Sequence, residues 1–373
     1  MAGSGKGLEG VVAAETAVSD IDGQKGLLYY VGYDIHELAA HATFEEIVYL
    51  LHHLELPTNS QLETLREELA AGREPDELVM RLLPHLSENA PPMSMLRSAV
   101  SLSSVNDPDA GDMSEEANYR KALRLMAVFP TLVAYYDRTR KGKEIVHPDP
   151  NLSHAANFLW MLTDDKPDDD SERIFDLCLV LHADHTMNAS TFAARVCAAT
   201  LSDIHSAMTA AISALKGPLH GGANEAVMAM LKEIGKPENA RDYILKMLEN
   251  KEKIMGFGHR VYKTEDPRAT HLRRTSEQLA EKTGDPTYFE ISRAIEETVM
   301  EEKGLYPNVD FYAASVYGYL GLPVDLFTTI FACSRVAGWT AHVREQYADN
   351  RLIRPDHAYV GPEPRSWVTM SER

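Results

Sequence analysis

Cationic side chains are in short supply: 37 Lys and Arg stand against 56 Asp and Glu, a formal net charge of −19 over 373 residues. A chain with that field suits neither nucleic acid nor an anionic membrane surface, because both need a cationic face. It can still hold a small anion where a few arginines gather. Cysteine is scarce too: Cys178, Cys197 and Cys333 stand far apart, each in an apolar stretch. With no CxxC pair for zinc and an odd count for disulfides, they read as reduced, buried thiols of a cytoplasmic protein. No apolar run approaches the ~20 residues of a membrane helix. The opening "MAGSGKGLEG" lacks the apolar core of a signal peptide and reads as a mobile terminus. Fixed-period repeats and low-complexity linkers are missing.

What is present is mostly helical. Between Gly7 and Ile35, β-branched and aromatic residues punctuated by Asp22-Gly23 and Gly32 suggest short strands and hairpins. Thereafter helical patterns dominate. "ATFEEIVYLLHHLEL" opens on Thr43 with Glu46 at capping-box spacing and is expected to stop at Pro57. The long pattern 114–138 contains Pro130, where a kink is expected. "DDKPDDDSE" (164–172) reads as a solvated loop, and "DSERIFDLCLVLHADHTM" as a buried helix carrying His182 and His185 on one face. The class is mainly α with a minor N-terminal β element. Gly- and Pro-rich stretches at 216–224 and 320–325 are hinge candidates. They divide the chain into a large helical domain, 1–221 with 322–373, and a small inserted domain, 222–321.

Three polar groups stand where a helical core would not need them. His220, in "GPLHGGANEAV", sits before a helix start whose N–H groups favour a carbonyl or anionic oxygen. A surface loop histidine is an equally weighted reading of "HGG" alone. His259, in "IMGFGHRVYKTEDPR", precedes Arg260, Lys263 and Arg268; a histidine with an arginine suits a carbonyl substrate that bears a carboxylate. A solvated basic turn is the plainer alternative. Asp310, beside Val309, Phe311 and Tyr312, loses solvation, which raises a carboxyl pKa as a general base requires. As an isolated feature it reads more readily as a helix N-cap. His182 and His185 lack a third ligand for metal, and Asn188, Ser190 and Thr191 nearby favour hydrogen bonding to an organic anion. Arg335, inside the apolar "CSRVAGW", needs an anionic partner, whether a buried carboxylate or a ligand.

In order, "LSHAANFLWML", "HADHTMNASTF", "LKGPLHGGANEAV", "IMGFGHRVYKTEDPR", "YPNVDFY" and "NRLIRP" closely resemble the citrate synthase family, from about Gly7 to Val360. The likeness is greatest to its short dimeric bacterial and archaeal forms. It implies a two-domain helical fold and condensation of acetyl-CoA with oxaloacetate, with no metal and no cofactor beyond the co-substrate. It implies His220 as stabiliser of the thioester enolate, His259 as the group that polarises and protonates the ketone, and Asp310 as the base. His185, Arg268 and Arg335 become oxaloacetate ligands, with Arg354 reaching in from the other subunit of a homodimer built on helices such as 189–215. Ile254, Gly256 and Gly258, with Arg260 and Lys263, become the CoA side. Relatives often carry a basic residue before "GY", where this chain has Val31. The alternative is 2-methylcitrate synthase acting on propionyl-CoA, since one methylene changes specificity by only ~1–3 kcal/mol.

Overall fold

The computed structural model describes residues 6–8 and 10–373, so the expected mobile start lies mostly outside the described residues. Sixteen α-helices, three short 3₁₀ helices and three short strands make up the described elements. Strands β1 (Ser19–Asp22), β2 (Leu27–Tyr30) and β3 (Tyr33–Asp34) form an antiparallel sheet in that order, with Ser19 opposite Tyr30 and Asp22 opposite Leu27. Leu28 and Tyr30 point inward and are fully buried, as strand alternation requires.

Local chemistry explains most boundaries. Thr43 and Glu46 form the expected capping box at the helix Phe44–His53. That helix ends at Leu54, in left-handed backbone with φ 61°, three residues before the Pro57 marked as its stop. The helix Glu115–Arg140 continues through Pro130 within one assigned element, its middle turns buried on all sides.

The acidic run 164–172 is a loop only in its first half. Asp168 caps the helix Asp169–His182, and Asp169, Asp170 and Glu172 lie in its first turn, where the helix dipole favours them. The same helix corrects the placement of the two histidines. It ends at His182, so His185 lies beyond it and the two share no helical face. The chain is drawn aside because Tyr30 Oη takes the Asp184 N–H at 3.1 Å and donates to the Asp184 carbonyl at 3.0 Å.

The helix Phe327–Ala348 forms the centre, buried along almost its whole length. Around it pack Glu115–Arg140, Ala189–Ala198, Ile204–Leu215 and Asp169–His182. A second group, Ala223–Ile234, Pro237–Glu249, Pro267–Thr283, Thr287–Lys303 and Val309–Tyr319, packs largely on itself. The chain passes between the groups through the two Gly- and Pro-rich stretches singled out in the sequence. They meet where Thr328 Oγ1 donates to the Gly221 carbonyl at 3.2 Å and to Glu225. No described helix is long and apolar enough to cross a membrane.

Candidate active site

The seam between the groups collects the singled-out side chains. His185, past the end of its helix, places its ring 5.2 Å from that of His259 and its Nε2 3.3 Å from Tyr262 Oη. Burial, then the positive charge of Arg268, holds its pKa well below the ordinary histidine value.

His259 is oriented by its own loop. Its Nδ1 accepts the N–H groups of Val261 at 3.0 Å and Tyr262 at 3.2 Å. An Nδ1 engaged as acceptor leaves the ring proton on Nε2, so the free edge of the imidazole is a donor. Burial and Arg268 lower its pKa to about 4, and the ring is neutral at physiological pH.

His220 is set in the opposite sense. Its Nε2 accepts the Ser190 N–H at 3.3 Å and lies 2.8 Å from Ser190 Oγ. The proton is therefore on Nδ1. Burial, helped by Arg335, brings its pKa to about 4. Ser190 itself is fully buried, its Oγ taking the Trp339 indole N–H at 3.0 Å and lying 2.7 Å from Asn188 Oδ1. Asn188 caps the helix Ala189–Ala198 by accepting the N–H groups of both Ser190 and Thr191, and Thr191 Oγ1 takes its side-chain N–H at 2.9 Å. These three polar residues thus serve the helix start and His220 rather than standing open to an anion.

Asp310 lies one residue inside the helix Val309–Tyr319, and Asn308 is the cap, accepting the Asp310 N–H at 3.1 Å. The capping reading of Asp310 is thereby corrected. Its Oδ1 is buried without a hydrogen-bond partner. Burial, against the opposing pull of Arg268, lifts its pKa to about 6.

Two buried arginines face this cluster. Arg268 is held by Asp266, Nε to Oδ1 at 3.0 Å and Nη2 to Oδ2 at 2.8 Å, and Asp266 Oδ2 also accepts the Val309 N–H at 3.2 Å. One carboxylate thus ties the arginine to the first turn of the helix bearing Asp310. Arg335 donates Nε–H to the His182 carbonyl at 2.7 Å and lies over the Phe331 ring, 4.5 Å from its centre. Burial lowers its pKa to about 10, with Asp184 the main opposing negative charge. Asp184 is itself tied to Ser19 and, at 3.3 Å, to His342 Nε2. Asp184 and Asp266 escape sequence reasoning, since an acid one or two positions before a histidine or an arginine has no pattern of its own.

The loop 254–258 is fixed by the run before Asp310. Gly258 N–H donates to the Tyr306 carbonyl at 3.0 Å and Asn308 N–H to the Gly256 carbonyl at 2.9 Å. Gly256, at φ 83°, occupies backbone that other residues rarely adopt. Ile254 is buried, whereas Arg260 and Lys263 lie at the surface. Arg354 does not join the histidines of its own chain. It is exposed, and it borders a cavity of about 720 Å³ between the N-terminal segment and the end of the helix Phe327–Ala348. Among the described residues, no group of three His, Cys, Asp or Glu is arranged to hold a metal ion.

The family model for the citrate synthase C-terminal domain matches residues 7–356. Citrate synthase 2 of Bacillus subtilis is 54% identical over 369 residues, 99% of each chain. A 2-methylcitrate synthase of Shewanella oneidensis is 42% identical over 375 residues, 99% of this chain and 98% of its own. In three dimensions, Thermoplasma acidophilum citrate synthase, solved with carboxymethyl coenzyme A and oxaloacetate, matches with a TM-score of 0.94 at 34% identity over 100% of both chains.

Proposed function

The chain belongs to the citrate synthase family, and from that premise we propose that it condenses acetyl-CoA with oxaloacetate and hydrolyses citryl-CoA to citrate and CoA. The observation that carries the reading is the state of Asp310: a half-buried side chain whose Oδ1 is sealed from solvent without a partner and whose pKa is about 6. At neutral pH it is ionised and free to accept a proton.

A thioester α-proton is far too weakly acidic for a free carboxylate, so the enolate must be stabilised as it forms. Asp310 takes the methyl proton while His220 Nδ1–H donates to the thioester oxygen. The enolate carbon bonds to the ketone carbon, and the resulting alkoxide receives the proton of His259 Nε2. Water then attacks the thioester carbonyl and the C–S bond breaks; the proton held by Asp310 passes to the leaving sulfur, giving the CoA thiol, and the proton lost by the attacking water returns to His259 Nε2. Each histidine is neutral and keeps one N–H to donate, on Nδ1 in His220 and on Nε2 in His259. Arg268 and Arg335 hold the oxaloacetate carboxylates with His185, and we assign a further contact to the partner subunit's Arg354. Exposure of Arg354 and the half-exposed face of the helices Ala189–Ala198 and Ile204–Leu215 support a homodimer. On the same reading, 254–258 with Arg260 and Lys263 forms the CoA side. The group 222–321 closes over the substrates about the two connecting stretches, excluding water. We assign the protein to the cytoplasm, with no metal or additional cofactor.

Propionyl-CoA is the second candidate donor, since a relative 42% identical is a 2-methylcitrate synthase. Thiol release with oxaloacetate, measured for acetyl-CoA and propionyl-CoA at matched concentrations, decides between them. Preference for acetyl-CoA supports the proposal, preference for propionyl-CoA replaces it with the alternative, and no release from folded protein overturns both.

A further inference from the structure

The β1–β2 hairpin touches the site at both ends. Its base is fastened to the run that carries His185: Ser19 Oγ donates to the Asp184 carboxylate, and Tyr30 Oη bonds the Asp184 backbone on both sides. Its tip rests on the run that carries His259. There Asp22 closes the turn by accepting the N–H groups of Gln24 and Lys25, both at 3.1 Å. The Gly23 carbonyl accepts the Lys263 N–H at 2.8 Å. A Cβ at Gly23 would lie 2.4 Å from the Val261 carbonyl oxygen and 2.9 Å from its carbon. A Cβ at Gly26 would lie 2.9 Å from the Glu265 carbonyl oxygen. The tip is therefore pressed onto backbone, which cannot swing aside as a flexible side chain can.

The Val261 carbonyl and the Tyr262 N–H belong to one planar peptide unit. One edge of that plane meets Gly23, and the other donates to His259 Nδ1 at 3.2 Å. We propose that the hairpin is a spacer fixing His259 relative to His185, and that Gly23 is a positioning residue acting through the Val261–Tyr262 peptide. The catalytic consequence rests on the reading of His259 as donor to the ketone. A methyl group at position 23 must displace the peptide or lift the hairpin. Either movement disturbs the hydrogen bonds that keep Nδ1 an acceptor, while Arg268 and Arg335 retain their own partners.

The test is Gly23→Ala in the full-length protein, with Gln24→Ala on the exposed side of the turn as control. Tyr30→Phe is a second variant that loosens the base without adding bulk. In Gly23→Ala, kcat is expected to fall about 10- to 100-fold, since displacements near 1 Å have effects of that order, with KM for oxaloacetate within about twofold. The ¹⁵N resonances of histidine-labelled protein are expected to show His259 leaving its single Nε2–H tautomer. Tyr30→Phe should change both in the same direction and less, and Gln24→Ala neither. A folded Gly23→Ala protein with the wild-type His259 tautomer overturns the proposal, whatever its kcat. If wild-type protein releases no thiol but the tautomer still changes in Gly23→Ala, the positioning role stands and the reading of the reaction falls.

Discussion

Ser190 holds His220 by two groups at once, its backbone N–H 3.3 Å and its hydroxyl 2.8 Å from the same Nε2. The backbone N–H, which can only donate, dictates that the proton of His220 is on Nδ1. Ser190→Ala keeps the backbone donor and removes the hydroxyl, so the ring loses one restraint and the Trp339 indole loses its acceptor. The expected result, on the proposed role of His220 at the thioester, is a kcat lowered by up to about 100-fold, with KM for oxaloacetate nearly unchanged. A large rise in that KM with unchanged kcat would contradict this placement.

Asp310→Asn should lower kcat about 1,000-fold, within the range of a lost general base. The melting temperature of this variant should equal or exceed that of the wild type at neutral pH. A carboxyl whose folded pKa lies above its unfolded value binds its proton more tightly in the fold, so stability declines as pH rises from about 4 to about 6. The amide avoids that loss. Thermal melts at pH 7.5 beside the kinetics check both halves.

The same pKa sets the acid limb of activity. Asp310 is a carboxylate above about 6 and protonated below, so kcat/KM for the acyl-CoA should fall tenfold per pH unit under that point and level off above it. His220 and His259, at about 4, stay neutral across this window. A limb centred near 4 would move the titration to the histidines and away from Asp310.

Removing the charge of Asp266 strands Arg268 in the interior. Asp266→Asn is expected to destabilise the protein by roughly 3–5 kcal/mol, the usual effect of breaking a buried pair, and to raise the oxaloacetate KM. Urea unfolding and steady-state kinetics measure the two effects. A variant with unchanged midpoint and KM would show that the bidentate contact holds neither the fold nor the arginine.

A mixing experiment tests the partner subunit's Arg354. Arg354→Ala and Asp310→Asn proteins, each nearly inactive, are exchanged into hybrid dimers. One site of each hybrid then combines an intact Asp310 with an intact arginine from across the interface, and activity should return toward half of wild type. No recovery in verified hybrids places Arg354 outside the partner's site.

Much of this was legible in the sequence because the relevant residues sit in punctuated loops. His220 follows Gly-Pro, His259 follows GxG and Asp310 follows Pro-Asn, and each departs from helical patterning. The capping box at Thr43 was equally readable, being a contact between neighbours in sequence. The course of the chain past His182 was not. Its cause is Tyr30, whose hydroxyl reaches Asp184 from 154 positions away, and hydrophobic periodicity carries no record of such a bond. Nor was Asp266 legible, because its two-point grip on Arg268 depends on burial that spacing does not reveal.

The hairpin also bears on how the chain comes to be folded. Ser19 finds Asp184 across 165 positions, and Ala17 N–H finds Glu345 across 328. During synthesis these strands must wait for Asp184 and then for the run 261–263 before their anchors exist, and the segment just before them must wait for Glu345. Contacts of such span carry a high loop-closure cost and form late. A chain stalled before the helix Phe327–Ala348 can therefore build many helices and still lack the contacts that set the proposed site, so the onset of catalysis would report that this helix has been made and has docked.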